Sequence, residues 1–307
     1  MKIALLLKRE PFGKIFEQTL TSFLDEFYKN KYKVKWFQRK LQINKNPGVS
    51  CQKWFCNPLI NSIYVKGVND KVFDSVKWEY SKNPLKPWRS VFQRFYLYLA
   101  IKTKLGPFLA SYLIIISPEI SNAHNILVIG GNNKIRVIDY KSKSVFVILK
   151  KGFHRKYLER EITIRQNYGY LPVPSIKQLG KTDWYSEELI SGISPDRLNK
   201  ESGNHVLLES TQKLHRLLTD TVIKDGLKKY TDEIILRIKN IIESMNRFDI
   251  SQKRDILEYV DSIASGLKKS SYFQSDNIYT AVTHGDFQSG NILFDGSKVW
   301  ILDWEHS

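Results

Sequence analysis

Val282–Ser307 reads VTHGDFQSGNILFDGSKVWILDWEHS, and its polar residues fall at spacings that carry chemistry. His284, Asp286 and Asn291 form H-x-D-x-x-x-x-N. Asp295-Gly296, set between two apolar runs, marks a tight hairpin turn. The second arm, Val299 to Leu302, delivers Asp303 at its end. Phosphoryl transfer needs such a set: one carboxylate to orient and deprotonate an attacking hydroxyl, and an amide plus a carboxylate oxygen to hold magnesium on the phosphates. Asp286 suits the first task, and Asn291 and Asp303 suit the second. The simpler alternative is a loop whose Asp and Asn only cap turns. The hairpin and the strand-end Asp-Trp-Glu, joined to the loop spacing, argue against it.

HGDFQSGN followed by ILDWE closely resembles the aminoglycoside phosphotransferase and choline kinase group, small-molecule kinases with a protein-kinase-like fold. The resemblance covers about residues 124–307 and is dense only at the C-terminal end. It implies an α+β fold of two lobes, an antiparallel-sheet N-lobe and a helical C-lobe, with ATP and Mg2+ as cofactors and a small-molecule hydroxyl as acceptor. By the same resemblance Lys150, ending the apolar strand VFVILKKG, contacts the α- and β-phosphates; Lys151, on the opposite strand face, is its rival. A helix follows, and Glu161 in it matches the glutamate that pairs with the strand lysine, with Glu159 second. Glu188, Leu189 and Ile190 match a hinge whose backbone meets adenine, and His284 matches a residue that braces the catalytic loop. Related kinases continue for several helices beyond the strand-end Asp, so the resemblance implies an incomplete C-lobe. A truncated, catalytically inactive nucleotide-binding remnant is the alternative reading.

The rest of the chain is read outward from this end. A length of 307 residues, 42% of them hydrophobic, suits one large or two modest domains with a real core. Of the net charge of +17, residues 1–120 carry +13, with 21 Lys and Arg against 8 Asp and Glu. Four of the seven Trp (Trp36, Trp54, Trp78, Trp88) lie there too. This basic, aromatic third is expected either to be an ordinary solvated face or to meet an anionic membrane surface; nucleic acid is not expected. The basic balance mildly favours a neutral or anionic acceptor over a cationic one. Cys51 and Cys56 are too few for a zinc site or a disulfide framework, so a reducing, cytoplasmic setting is expected. The opening MKIALLLKRE has too short an apolar run for a signal peptide.

Residues 3–7 (IALLL) read as a buried strand, Gly13–Tyr28 as a helix and Tyr32–Phe37 as a strand, a βαβ-like start to a basic α/β N-terminal region. Residues 43–87 read as irregular. Pro87 to Lys104 reads as a helix packed on its own domain through Trp88, Val91, Phe92, Phe95 and Leu99, with a membrane-surface helix as the alternative. A boundary is expected near residue 120, giving a basic region (1–120), an N-lobe with hinge (121–192) and a C-lobe (193–307). Strands at 125–130, 134–139 and 144–150 read as a meander. The Gly130–Asn133 turn stands where a nucleotide-covering loop is expected. Helices follow at about 155–168, 205–218, 230–248 and 254–269, with His215 expected as a packed structural residue.

Overall fold

The computed structural model describes residues 3–38, 51–80, 87–244, 249–270 and 276–304. In chain order these form α1 (Ile3–Arg9), α2 (Phe12–Tyr28), β1 (Lys33–Gln38), β2 (Gln52–Asn57), β3 (Ser62–Val65), α3 (Asp70–Tyr80), α4 (Pro87–Leu97), α5 (Gly106–Leu109) and β4 (Tyr112–Ser117). There follow β5 (Ile126–Gly130), β6 (Lys134–Asp139), β7 (Ser144–Leu149), α6 (Lys156–Asn167), β8 (Ile176–Leu179), β9 (Trp184–Glu188) and α7 (Lys200–Thr221). The last elements are β10 (Ile223–Gly226), α8 (Leu227–Ser244), α9 (Ile250–Lys268), β11 (Asn277–Thr280), β12 (Ile292–Phe294) and β13 (Val299–Ile301). The chain divides into two compact units. One contains everything up to Ser210 and resumes at His284; the other runs from Thr211 to Thr283.

The first unit is a mixed helix-and-sheet structure centred on a nine-stranded sheet of order β1-β4-β2-β3-β5-β6-β7-β9-β8. Its pairings are antiparallel. The expected βαβ start is therefore not formed, since β1 runs antiparallel to β4 and α2 lies on the sheet. Residues 3–9 are a helix where a strand was expected. Ile3 and Leu6 are buried while Leu5 is exposed, which is helical spacing, and Ala, Leu, Lys and Arg are strong helix formers. The described part of the stretch expected to be irregular contains β2, β3 and α3. All four residues of β3 are buried, so it shows no polar alternation by which to recognise it. The helical stripe does not pack inward as expected: α4 docks through Leu97, and its Trp88, Val91, Phe92 and Phe95 are exposed. His215 is exposed on α7 and is not packed. The expected boundary near residue 120 is bridged by the sheet, because β3 pairs with β5, Ile63 standing opposite Val128.

The two faces of the sheet do different work. On one, α1 and α2 cover β5, β6, β7 and β9 with Ile3, Leu6, Phe12, Phe16, Leu20 and Phe23, in a core shared with Ile135, Val137, Phe146, Ile148 and Trp184. Gly130 belongs to this packing, not to a nucleotide-covering loop: a Cβ there would meet Phe12 Cζ at 3.0 Å and Ile3 Cγ1 at 3.1 Å. On the other face, Val145, Val147 and Tyr185 pack against Leu158 of α6. In the second unit, α8 and α9 pair, and β10 pairs antiparallel with β11. Asp249 opens α9 with a capping box, its carboxylate accepting from Gln252 N at 2.8 Å.

Phe23 ties the N-terminal helices to the strands after residue 120, its ring centroid 5.4 Å from Phe146 and 5.3 Å from Trp184. Phe23→Ala is expected to cost about 3–5 kcal/mol in urea unfolding. A loss below about 1 kcal/mol would contradict a shared core.

Candidate active site

The hairpin β12–β13 and the loop before it are fixed by short-range bonds that follow from sequence. Asp295 accepts from the backbone N–H of Ser297 and Lys298, each at 2.8 Å, and from Trp300 Nε1 at 2.7 Å, closing the turn at Gly296. His284 is buried against Trp304, ring centroids 4.5 Å apart, and its Nε2 donates to Leu302 O at 2.8 Å. Burial pushes its pKa down against the pull of that carbonyl, so the imidazole is a neutral brace. Asn291 Nδ2 donates to Asp286 O at 2.9 Å and reaches Asp286 Oδ2 at 3.3 Å. Asp286 itself is exposed. Asp303 adopts φ 66°, a left-handed conformation uncommon outside glycine and more accessible to Asp than to most residues.

Around Asp303 the structure gathers charges from three elements. Lys134 Nζ of β6 lies 2.9 Å from Glu161 Oε2 of α6 and 3.3 Å from Asp303 Oδ1. Arg136, two residues along the same strand face, reaches Asp303 Oδ1 at 3.1 Å. Tyr185 donates to Glu161 Oε2 at 2.7 Å, and Arg165 of α6 lies 2.7 Å from Glu187 Oε2. Burial alone raises carboxyl pKa values, yet Lys134 and Arg165 hold Glu161 below its ordinary value, and Arg136 and Lys134 hold Asp303 well below its own. At Glu187 burial wins and the pKa rises. Asp303 is thus a firmly ionised carboxylate at the edge of a cavity.

That cavity, of about 540 Å³, is lined by Leu127, Arg136 and Ile138 of the meander, the segment Glu187–Ser194, and Asn291, Leu293 and Asp303. Gly192 lets the segment approach the hairpin, since a Cβ there would lie 2.8 Å from Leu293 Cβ. Ile193 and Phe294 exchange backbone bonds of 2.8 Å, joining segment to hairpin. Of the three expected hinge positions, Glu188 N donates to Ser175 O and Leu189 N to Lys143 O, each at 3.0 Å. Among the described residues, Ile190 N has no such acceptor.

Asp286, Asn291, Asp303 and Glu161 are therefore brought to one region, but Lys150 is not. Its side chain is buried on the opposite face, 2.5 Å from Glu10 Oε1 and 4.6 Å from the centre of the Phe153 ring. The reason is strand alternation: Val145, Val147 and Leu149 share the face of Arg136 and Lys134, so residue 150 points under α1 and α2. Lys151, the rival, lies 3.7 Å from Asp183, away from Glu161. The glutamate's partner is Lys134, which faces Leu149 across the ladder. Sequence reading missed Lys134 and Arg136, although KIRVID places two cations on one face of a largely apolar strand, a pattern that requires anionic partners. Glu159 pairs with Arg155 at the exposed surface.

Magnesium would find hard oxygen donors here. The Asp303 carboxylate is ionised, and Asn291 commits its amide nitrogen to Asp286, leaving the amide oxygen without a protein donor among the described residues. Two such ligands fit a metal that keeps waters and phosphate oxygens for its remaining positions.

No family model matches the chain, and no curated protein matches it. Solved structures do. A choline/ethanolamine kinase family protein from Mesorhizobium loti aligns over 61% of this chain and 60% of its own, at 17% identity and a TM-score of 0.35. Choline kinase from Cryptosporidium parvum aligns over 62% and 60%, at 19% identity and a TM-score of 0.33. Spectinomycin phosphotransferase, solved with ADP and spectinomycin, aligns over 58% and 63%, at 17% identity and a TM-score of 0.29. The matched part thus spans about three-fifths of the length of these proteins. The chain is similar to choline/ethanolamine kinase and aminoglycoside phosphotransferase proteins, a distant likeness on which no residue's role is built.

Lys134→Met leaves Glu161 buried with one cation fewer, and is expected to cost about 3–5 kcal/mol at neutral pH. Glu161 and Asp303 both have lowered pKa values, so their contribution is present above the ordinary values of 4.5 and 3.8 and is lost as pH falls through the lowered ones. The deficit of the variant should therefore shrink at acid pH in urea unfolding. A deficit independent of pH would contradict the ion network.

Proposed function

We propose that the chain is an ATP- and magnesium-dependent phosphotransferase acting on a hydroxyl of a small molecule. The observation that carries this reading is the ion cluster of Lys134, Glu161 and Asp303 behind a cavity that Asp303 lines together with Arg136 and Asn291, the last bonded to Asp286. In this reading residues 121–192 and 193–307 correspond to the two lobes of a kinase, and the cavity takes the nucleotide. Leu127, Ile138 and Leu293 would sandwich the base, and Ile190 N would donate to it. Lys134 and Arg136 would steady the phosphates, with Glu161 positioning the ammonium of Lys134. Asn291 and Asp303 would hold magnesium, which offsets charge on the phosphate oxygens when bound.

Asp286 would accept the proton of the acceptor hydroxyl as its oxygen bonds to the γ-phosphorus. The bond from that phosphorus to the β–γ bridging oxygen breaks, and ADP carries away the electron pair. Positioning and electrostatics supply most of the rate in such a reaction. Lys150 has no part in it. A neutral or anionic acceptor, such as a sugar or a glycan or lipid precursor, suits the basic chain, and the cytoplasm supplies the ATP.

Thermal unfolding with magnesium and ATP tests this. At about 100 times its Kd, a ligand specific to the folded state stabilises by about 2.7 kcal/mol, a shift of several degrees. Asp286→Asn should keep the shift while lowering magnesium-dependent ATP turnover by about 10²–10⁴-fold. Asp303→Asn should lose the shift. A shift without any turnover in the unmodified chain would favour a nucleotide-binding remnant, and no shift at all would overturn the nucleotide site.

A further inference from the structure

The helix α4 is oriented against the usual rule for a surface helix. It docks through Leu97 at 0% exposure, and the continuing turn docks through Ala100 and Ile101 at 1% and 3%. Tyr96 accepts from Asn57 Nδ2 at 3.0 Å and fixes the helix to β2. The outer face shows Trp88 at 55%, Val91 at 66%, Phe92 at 65%, Phe95 at 58% and Tyr98 at 54%. These fall at helical spacing along one stripe, and surface helices ordinarily present polar residues there. Large apolar side chains concentrated on one exposed surface mark an interaction site.

Charge decides which kind of partner. Residues 80–118 contain no Asp or Glu and six basic residues, Lys82, Lys86, Arg89, Arg94, Lys102 and Lys104. Arg94, within the helix, and Lys104, just after the turn that continues it, are exposed. The nearby Asp70 of α3 is neutralised by Lys102. An apolar stripe rich in aromatic rings and bordered by cations complements the interface of an anionic bilayer, where rings settle at headgroup level and cations meet lipid phosphates. No helix among the described residues is long and apolar enough to cross a membrane. We propose that the outer face of α4 and of the turn that continues it, through Val91, Phe92, Phe95 and Tyr98 with Arg94 and Lys104, docks the chain on an anionic lipid surface.

The test is flotation of the full chain with vesicles of equal parts phosphatidylcholine and phosphatidylglycerol, at about 0.15 M salt. The unmodified chain should float with these vesicles and much less with pure phosphatidylcholine. Val91→Ser/Phe92→Ser/Phe95→Ser should weaken binding at least about tenfold, given the apolar area withdrawn from the interface. Its thermal midpoint should stay unchanged, because these side chains are already exposed. Arg94→Glu/Lys104→Glu should weaken binding to anionic vesicles and leave the residual binding to neutral ones unaltered. Absence of anionic-vesicle binding, or its persistence in the triple variant, would overturn the proposal. So would concentration-dependent self-association abolished by the triple variant without any lipid binding, which would assign the stripe to a second copy of the chain.

Discussion

The ammonium of Lys134 is the point on which the site depends. It lies within 3.3 Å of two carboxylates, Glu161 from α6 and Asp303 from the end of β13. Three elements distant in sequence are thereby fixed around one charge in a place that water hardly reaches. Buried ions are tolerated only when paired, so each member constrains the rest. Tyr185, Arg165 and Glu187 extend the constraint across α6 and β9, and Arg136 carries it to the cavity. An ionised, pre-positioned Asp303 is the chemical result.

The same constraint explains the part played by the N-terminal residues. Once α1 and α2 cover one face of the meander, a lysine reaching that face must find its own partner. Lys150 finds Glu10, from the short connection between those helices. The cations that meet Glu161 and Asp303 then come from the other face of the sheet, and β6 supplies both. The basic N-terminal third is consequently built into the sheet and shares its core, with β1 to β4 continuing the strand order. An appended module would need an edge of its own.

How far the sequence could be read follows from the range of each signal. Local chemistry was legible: the Asp295-Gly296 turn, the spacing of His284, Asp286 and Asn291, the meander and the long helices all depend on neighbouring residues. The helix at residues 3–9 is not legible because a run of five apolar residues has no visible period, and only the buried Ile3 and Leu6 beside the exposed Leu5 reveal it. The place of Lys150 is not legible locally, because strand alternation gives two faces without saying which is covered. That is decided by α1 and α2, more than 120 residues away in sequence. The outward stripe of α4 was visible as a stripe, but its direction is set by how Leu97 and Tyr96 dock.

In the proposed function Lys134, and not Lys150, lies beside the bound phosphates, and this can be read directly. An acyl-phosphate derivative of ATP transfers its acyl group to an amine beside the bound phosphates, and mass spectrometry locates the modified residue. The structure predicts acylation of Lys134, suppressed by excess ATP with magnesium, and none at Lys150. ATP-protected acylation of Lys150, with Lys134 untouched, would contradict it.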